Sequence, residues 1–309
     1  MKVLVTGGTG YLGRAIVRAL EGSGYEPVTF ARRASNAGLP GSAIDGDVRD
    51  RAAVERAVTG VDAVCHSAAL VSLWRPRRED FDDVNVRGLE NVLDACASKG
   101  VRRIVYTSSF LALPPAGRTS PIAANDYQRT KVRGREVALA AAGRGLPIVL
   151  LYPGVVYGPG LETEGNLVGR LVRDHLEGRL PGIVGASRVW SYAYVDDVAS
   201  AHVRALEIGS AAEEIVLGGE NAQQIRVFEI VRELTGHPLP RRIPHPVAAM
   251  FGLLEEVRAS VTGRLPAITR GAATIFRYDW PLESDSASRL DYRSRPLTTG
   301  LREILPKGV

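Results

Sequence analysis

The apolar positions of the first half of the chain change period in a regular way. Val3, Leu4 and Val5 form a short continuous apolar run, the pattern of a strand buried on both faces. Leu12, Ile16, Val17, Ala19 and Leu20 then recur at helical spacing, and the glycines at 22 and 24 end that helix. Further strands are predicted at 28–31, 42–45, 61–66, 102–107 and 148–151. A helix capped by Asp50 carries Val54, Ala57 and Val58. A long helix over 79–98 presents Phe81, Val84, Leu89, Val92 and Leu93 on one side, and another runs over 127–142. Strands joined by single helices imply right-handed parallel crossovers, so the expected fold class is α/β with a doubly wound parallel sheet.

After Tyr157 the pattern loosens, with frequent Gly and Pro. Helices are predicted near 166–178, 196–207, 225–235 and 245–262, and a strand over 190–195. We expect a dinucleotide-binding Rossmann domain over 1–157, to which 188–218 returns. A smaller substrate-binding lobe from 158–187 and 219–309 would fold over the carboxyl edge of the sheet.

Composition narrows the class. Hydrophobic residues make up 45% of the 309 and charged residues 24%, which is ordinary for a globular protein. The net charge of +5 comes mostly from arginines scattered over many segments, which argues against a nucleic-acid partner. Cys65 and Cys96 sit in apolar runs and read as buried, reduced thiols of a cytoplasmic protein. No Cys/His spacing suggests a zinc site, so no metal is expected. The chain opens MKVLVTGG, with a core strand from residue 2, which leaves no room for a cleaved signal before it. The longest apolar stretch, Leu146 to Val156, is interrupted by Pro147 and Pro153 and falls short of the ~18 residues a spanning helix needs, so no membrane partner is expected.

The candidate chemistry begins with TGGTGYLG, in which Gly7, Gly10 and Gly13 are spaced by three. The string follows a strand and opens a helix, the context that gives a glycine triplet meaning. Without Cβ atoms the backbone can turn tightly and approach a pyrophosphate, which the helix N-terminus then meets with free N–H groups. Tyr127 and Lys131 lie four apart in a helical segment and so share a face. An ammonium beside a phenol would lower the phenol's pKa from about 10 and make it a usable general acid or base. Trp74, Trp190 and Tyr192 are candidates to line a substrate pocket, with core packing as the competing use. His66 reads as a packed core histidine, Asp196 and Asp197 as helix-capping residues, and His175 as a surface residue.

These strings together resemble the extended short-chain dehydrogenases/reductases, and the resemblance covers most of the chain. The glycine loop matches that family's Thr-Gly-x-x-Gly-x-x-Gly form, with Thr9, Tyr11 and Leu12 inside the cofactor-binding stretch. Asp47 and Val48 match its adenine contact, Ala68 and Ala69 its cofactor wall, and Asn85 an Asn of its long helix. PGVVYGP at 153–159, with Pro153, Val155 and Val156, matches the segment against the nicotinamide amide, and YVDDVA at 194–199 is a further signature. The resemblance implies that Tyr127 exchanges the proton and Lys131 also binds the nicotinamide ribose. It further implies a hydroxyl after the fifth strand; Ser109 is favoured over Ser108, although the 18-residue gap from Ser109 to Tyr127 is short for the family. A homodimer packed through the helices at 79–98 and 127–142 is also implied.

The second strand ends in Arg32 and Arg33, where an acidic residue would hold the ribose 2′-OH of NAD. Guanidinium groups there suit a 2′-phosphate, so NADP(H) is the expected cofactor. Val155 and Trp190 stand where nucleotide-sugar enzymes of this type usually carry Asn and Arg, with Arg188 nearby. The chain therefore more resembles the dihydroflavonol-reductase-like branch. The expected function is NADPH-dependent reduction of an aldehyde or ketone on a small apolar substrate. A nucleotide-sugar epimerase or dehydratase is the alternative enzyme, and a non-catalytic NADP-binding regulator the alternative class.

Overall fold

The computed structural model describes residues 1–305. Its first half alternates as β1 (Lys2–Thr6), α1 (Tyr11–Gly22), β2 (Glu26–Ala31), β3 (Ser42–Asp45), α2 (Arg51–Val58) and β4 (Ala63–His66). One long helix follows in three parts: α3 (Glu79–Asp82), a π-helical turn (Asp83–Arg87) and α4 (Gly88–Lys99). Then come β5 (Arg103–Thr107), α5 (Asp126–Gly143) and β6 (Ile148–Pro153). The second half adds β7 (Val155–Tyr157), α6 (Leu167–Leu176), β8 (Ile183–Val184), β9 (Val189–Tyr194), α7 (Val195–Ile208) and β10 (Glu214–Leu217). It closes with β11 (Glu220–Gln223), α8 (Gln224–Thr235), β12 (Arg242–Ile243), α9 (His245–Thr262), α10 (Arg270–Ile275) and α11 (Leu297–Ile304).

Seven parallel strands form the main sheet in the order β10-β6-β5-β4-β1-β2-β3. The fold is a doubly wound α/β sheet. The order in which strands are added reverses between β1 and β4, and in such sheets ligands bind in the crevice beyond the strands' carboxyl ends at that point. The run Val3–Leu4–Val5 shows why the strand signal is continuous rather than alternating. Val3 and Val5 join the core under α1 and α7, while Leu4 joins the core under α2 and α4. Both faces are covered, so every position must be apolar.

Caps place the helix starts. Asp50 accepts from the Ala53 amide (3.1 Å) and Asn125 from the Gln128 amide (2.8 Å). The π-helical turn inside the long helix carries Asn85, whose side chain accepts from the Leu70 amide (2.7 Å) and donates to Thr130 Oγ1 (2.9 Å). The segment after β4 is thereby tied to α5.

Two smaller sheets accompany the main one: β11-β9-β7, and β12-β8. Neither these short strands, apart from β9, nor β10 stood out in the sequence. Two expectations are corrected here. His175 is buried rather than exposed: its Nε2 donates to the Pro238 carbonyl (2.7 Å) and its ring meets Phe228 edge-on. Neither Asp196 nor Asp197 caps α7: both lie in its first turn, after Tyr194, and Asp197 pairs with Arg295 (2.9 Å) and accepts from the Arg295 amide (2.8 Å).

Candidate active site

The glycine loop fills the crevice at the carboxyl end of β1. Gly7 adopts φ +70°, and a Cβ there would lie 2.6 Å from the Ala68 Cα. A Cβ on Gly13 would lie 2.2 Å from the Gly7 carbonyl oxygen. Both glycines are therefore demanded by the protein's own backbone. Gly10 differs: a Cβ there would meet only the Gly7 oxygen, at 3.2 Å. Its φ of −75° is open to any residue, and the Gly7 carbonyl would have to give by only a few tenths of an ångström, so the fold demands glycine here far less than at positions 7 and 13. Helix α1 begins there with no side-chain cap and no acidic residue in its first turn. Its first N–H groups and the positive end of its dipole are left for an anion. These features fit the diphosphate of a dinucleotide. Tyr11 points away, donating its hydroxyl to the Gly158 carbonyl (2.9 Å) and holding the 158–166 segment over the loop.

Arg32 and Arg33 project beyond the end of β2, exposed, and neither makes an ion pair among the described residues. Arg14, which the sequence reading passed over, bridges the Thr9 carbonyl (3.3 Å) and the Ala37 carbonyl (3.2 Å) beside them. On the next turn, Asp47 is bound by the Arg49 guanidinium (2.7 Å), which holds its carboxyl below the usual range. Val48 packs where only Gly88 leaves room, and Asn91 donates to the Val48 carbonyl (2.9 Å). Ala68 and Ala69 are half-buried against the loop, while Pro153 and Val155 are buried and Val156 half-buried at the end of β6 and in β7.

Ser109, Tyr127 and Lys131 converge beyond β5. Lys131 is buried, and its Nζ donates to the Thr107 carbonyl (3.0 Å) and lies 5.9 Å from the centre of the Tyr127 ring. Burial pulls its pKa down to about 8, because an ammonium out of water loses solvation. The Tyr127 phenol moves the other way. Burial pushes it up to about 12, with the Ser109 hydroxyl drawing it back in part. This corrects the expectation of a phenol acidified by its lysine: burial is the largest influence on Tyr127 and raises it, the group that lowers it is the Ser109 hydroxyl, and the phenol keeps its proton at neutral pH. Ser109 Oγ accepts from the Leu111 amide (3.2 Å), which occupies a lone pair and leaves its proton to donate. Ser108 faces the other way, against Tyr106, and its buried Oγ has no partner among the described residues.

Two residues that spacing could not reveal hold this group in place. Thr107 lends its carbonyl to Lys131, and its hydroxyl donates to His202 Nε2 (2.8 Å). That direction follows because His202 Nδ1 donates to the Val198 carbonyl (2.8 Å), leaving Nε2 as acceptor. Burial lowers His202 to about 4, so it stays neutral. His66 is likewise buried, bonded to Thr6 Oγ1 (2.7 Å) and lowered to about 3 by burial and by the Lys131 charge.

Of the proposed pocket residues, Trp190 is committed to packing. Its ring stacks on Phe276 (4.9 Å, 4°) and its Nε1 donates to the Tyr278 carbonyl (3.1 Å). Tyr192 is buried edge-on to Tyr157, with its phenol pushed up by burial. Trp74 is half-buried in the 70–78 segment, next to Arg75, which pairs with Glu164 (3.3 Å) across the cleft. Among the described residues no cluster of His, Cys, Asp or Glu could hold a metal ion, and no helix is long and apolar enough to cross a membrane.

Comparison with known proteins matches residues 3–218 to the model of the NAD dependent epimerase/dehydratase family. The chain is 34% identical over 270 residues to sterol demethylase protein B of Methylococcus capsulatus, covering 83% of this chain and 81% of that protein. It is 31% identical over 284 residues to a putative dihydroflavonol 4-reductase of Synechocystis, covering 85% and 81%. Among solved structures, MoeE5 in complex with UDP-glucuronic acid and NAD superposes with a TM-score of 0.75 at 25% identity, covering 98% and 97%.

Proposed function

The chain belongs to the NAD dependent epimerase/dehydratase family, and from that premise we propose that it is an NADP(H)-dependent oxidoreductase reducing an aldehyde or ketone on a small, largely apolar substrate. The observation that carries this reading is the meeting of Ser109, Tyr127 and Lys131 beside an uncapped helix N-terminus whose outermost glycine, Gly10, the fold itself demands far less than Gly7 and Gly13.

On this reading the cofactor would be held by the residues that the family resemblance points to. Gly7, Thr9, Gly10, Tyr11, Leu12 and Gly13 present backbone to the diphosphate. Arg32 and Arg33, without an ion pair among the described residues, suit a 2′-phosphate better than a ribose hydroxyl. Asp47, Val48, Ala68 and Ala69 wall the adenosine end, and Asn85 steadies that wall through Leu70. Pro153, Val155 and Val156 flank the nicotinamide end. The bound cofactor supplies a hydride to the carbonyl carbon.

The chain's own side chains then handle the oxygen. The Ser109 hydroxyl donates to the carbonyl oxygen and steadies the charge that develops on it. The Tyr127 Oη passes its proton to that oxygen, completing the alcohol. A phenol near 12 is neutral and keeps its proton at any ordinary pH, yet it remains a far stronger acid than an alcohol, whose pKa lies near that of water at about 16. The phenolate left behind is stabilised by the Lys131 ammonium. Replacing Tyr127 by Phe is expected to abolish NADPH-dependent reduction across a panel of apolar aldehydes and ketones while leaving NADPH binding within about twofold. Undiminished turnover by that variant, or a lower Michaelis constant for NADH than for NADPH in the wild type, overturns the reading.

A second reading has its own observation. A cavity of about 520 Å³ between β8, β12 and the 276–278 segment is bordered by Arg188, Arg242 and Arg277. Arg242 and Arg277 have no ion pair among the described residues, Arg188 is held by Asp279 (3.1 Å), and such a lining suits a diphosphate, as in a nucleotide-sugar epimerase or dehydratase. Conversion of a UDP-sugar without net NADPH consumption favours that reading.

A further inference from the structure

Helix α9 is built inside out. Its inward stripe is Ala248, Gly252, Glu255 and Ala259, mostly small residues at i, i+4, i+7 and i+11. Gly252 allows close approach to α10: a Cβ there would lie 2.8 Å from the Arg270 amide nitrogen. The large apolar side chains point the other way. Met250 is 62% exposed, Leu254 60%, Val257 56% and Val261 82%, with Phe251 and Leu253 beside them. Leu265, just past the helix end, extends the face. A soluble surface helix keeps its large apolar residues against the core, and contiguous exposed apolar patches mark contact surfaces.

The charge around this face has one sign. Residues 241–277 hold six arginines and two glutamates, with no lysine or aspartate, a net of +4. Both glutamates are turned to local work. Glu255 binds Arg258 (2.6 Å) and the Ala267 amide (2.9 Å), and Glu256 binds Arg270 (2.8 Å). Arg241, Arg242, Arg264 and Arg277 make no ion pair among the described residues. A second copy of the chain would bring a like-charged rim against this one. An anionic bilayer offers apolar chains for the face and negative headgroups for the arginines, the two attractions that hold a helix in the plane of a membrane interface.

We propose that α9 docks this protein on the surface of an anionic lipid bilayer, lying in the interface without spanning it. The contact also has a direction. Helix α10, on which α9 sits, abuts the start of α5: a Cβ on Gly271 would lie 2.4 Å from the Ala124 carbonyl oxygen, three residues before Tyr127. The docked face is therefore one helix away from the reacting phenol. A route for apolar substrate from lipid to site rests on the reductase reading; the docking itself does not.

The test is co-sedimentation of the full chain with vesicles, read without any catalysis. Vesicles of equal phosphatidylcholine and phosphatidylglycerol should bind about tenfold or more tightly than phosphatidylcholine alone, with binding weakened by added salt. Leu254→Glu and Val261→Glu, both at exposed positions, should each lose about tenfold while their melting curves stay unchanged. Arg264→Glu should lose affinity for the anionic vesicles alone. Failure of the folded wild type to bind anionic vesicles overturns the proposal. So does a wild-type dimer in light scattering that Leu254→Glu converts to monomer, because the face then belongs to a second copy.

Discussion

The residues that matter most here are tuned by being removed from water. Tyr127 and Lys131 are shifted in opposite directions by the same cause, toward about 12 and about 8, because burial disfavours a phenolate and an ammonium alike. A pH dependence follows. Reduction needs the ammonium to receive the new phenolate charge, and Lys131 loses its proton as pH rises through about 8, so kcat/KM should fall through that region. Tyr127 stays protonated throughout and cannot cause the fall. Lys131→Arg, whose guanidinium holds its proton above about 12, should shift the falling limb upward by more than one pH unit even where the maximum rate is reduced. A limb that does not move assigns the titration elsewhere. The lysine and tyrosine were readable from their spacing of four; the balance between them was not, since spacing reports proximity and says nothing of solvent.

At the scale of elements, the loop and first helix separate two kinds of glycine that look alike in the string TGGTGYLG. Gly13 is there for the protein, because any Cβ would press on the Gly7 carbonyl. Gly10 is far less constrained by the fold, and on the proposed reading it serves the cofactor. Gly13→Ala should therefore lower stability by about 1–3 kcal/mol, as overpacking against backbone does. Gly10→Ala should melt within a few degrees of wild type but bind NADPH at least about tenfold more weakly. Thermal melts and a fluorescence titration of both variants check the contrast; equal loss of binding without loss of stability in Gly13→Ala contradicts it. The strands and helices of the first half were legible because burial on both faces leaves continuous apolar runs, and one-sided burial leaves helical periodicity. β10 escaped notice because Glu214–Leu217 lies past Tyr157, where frequent Gly and Pro break up the strand–helix alternation that marked β3 at the same length. The helix at 245–262 was found with its bounds, yet its outward apolar face could not be seen, since periodicity marks a stripe without saying which side it faces. His202 was invisible for a related reason: it serves Lys131 through Thr107, at 95 residues' remove.

Across the whole molecule, the two thiols report on how completely the sheet is enclosed. Cys65 lies in β4 with its side chain sealed under one layer, Cys96 in α4 under the other, and burial pushes both up to about 12. Neither is a usable nucleophile while the fold is intact. A maleimide reagent should leave both unmodified in the native protein and modify both in denaturant, as read by intact mass; rapid native labelling of either would show that its layer opens locally. The division into a Rossmann domain over 1–157 with 188–218, and a lobe over the remainder, we retain as a proposal for how substrate and cofactor are shared between the two halves.

The position of β10 also has a meaning for synthesis. It is the last strand of the main sheet in sequence and, among the described residues, the strand that pairs with the outer side of β6, itself buried at every position, where Arg135 of α5 clamps it through Glu214 (2.7 Å). A ribosome making this chain must deliver roughly 60 further residues after β6, some 3–12 s of elongation, before that strand emerges. For that interval the nascent chain carries a bare apolar strand edge, the surface a chaperone would shield and a neighbouring nascent chain could pair with.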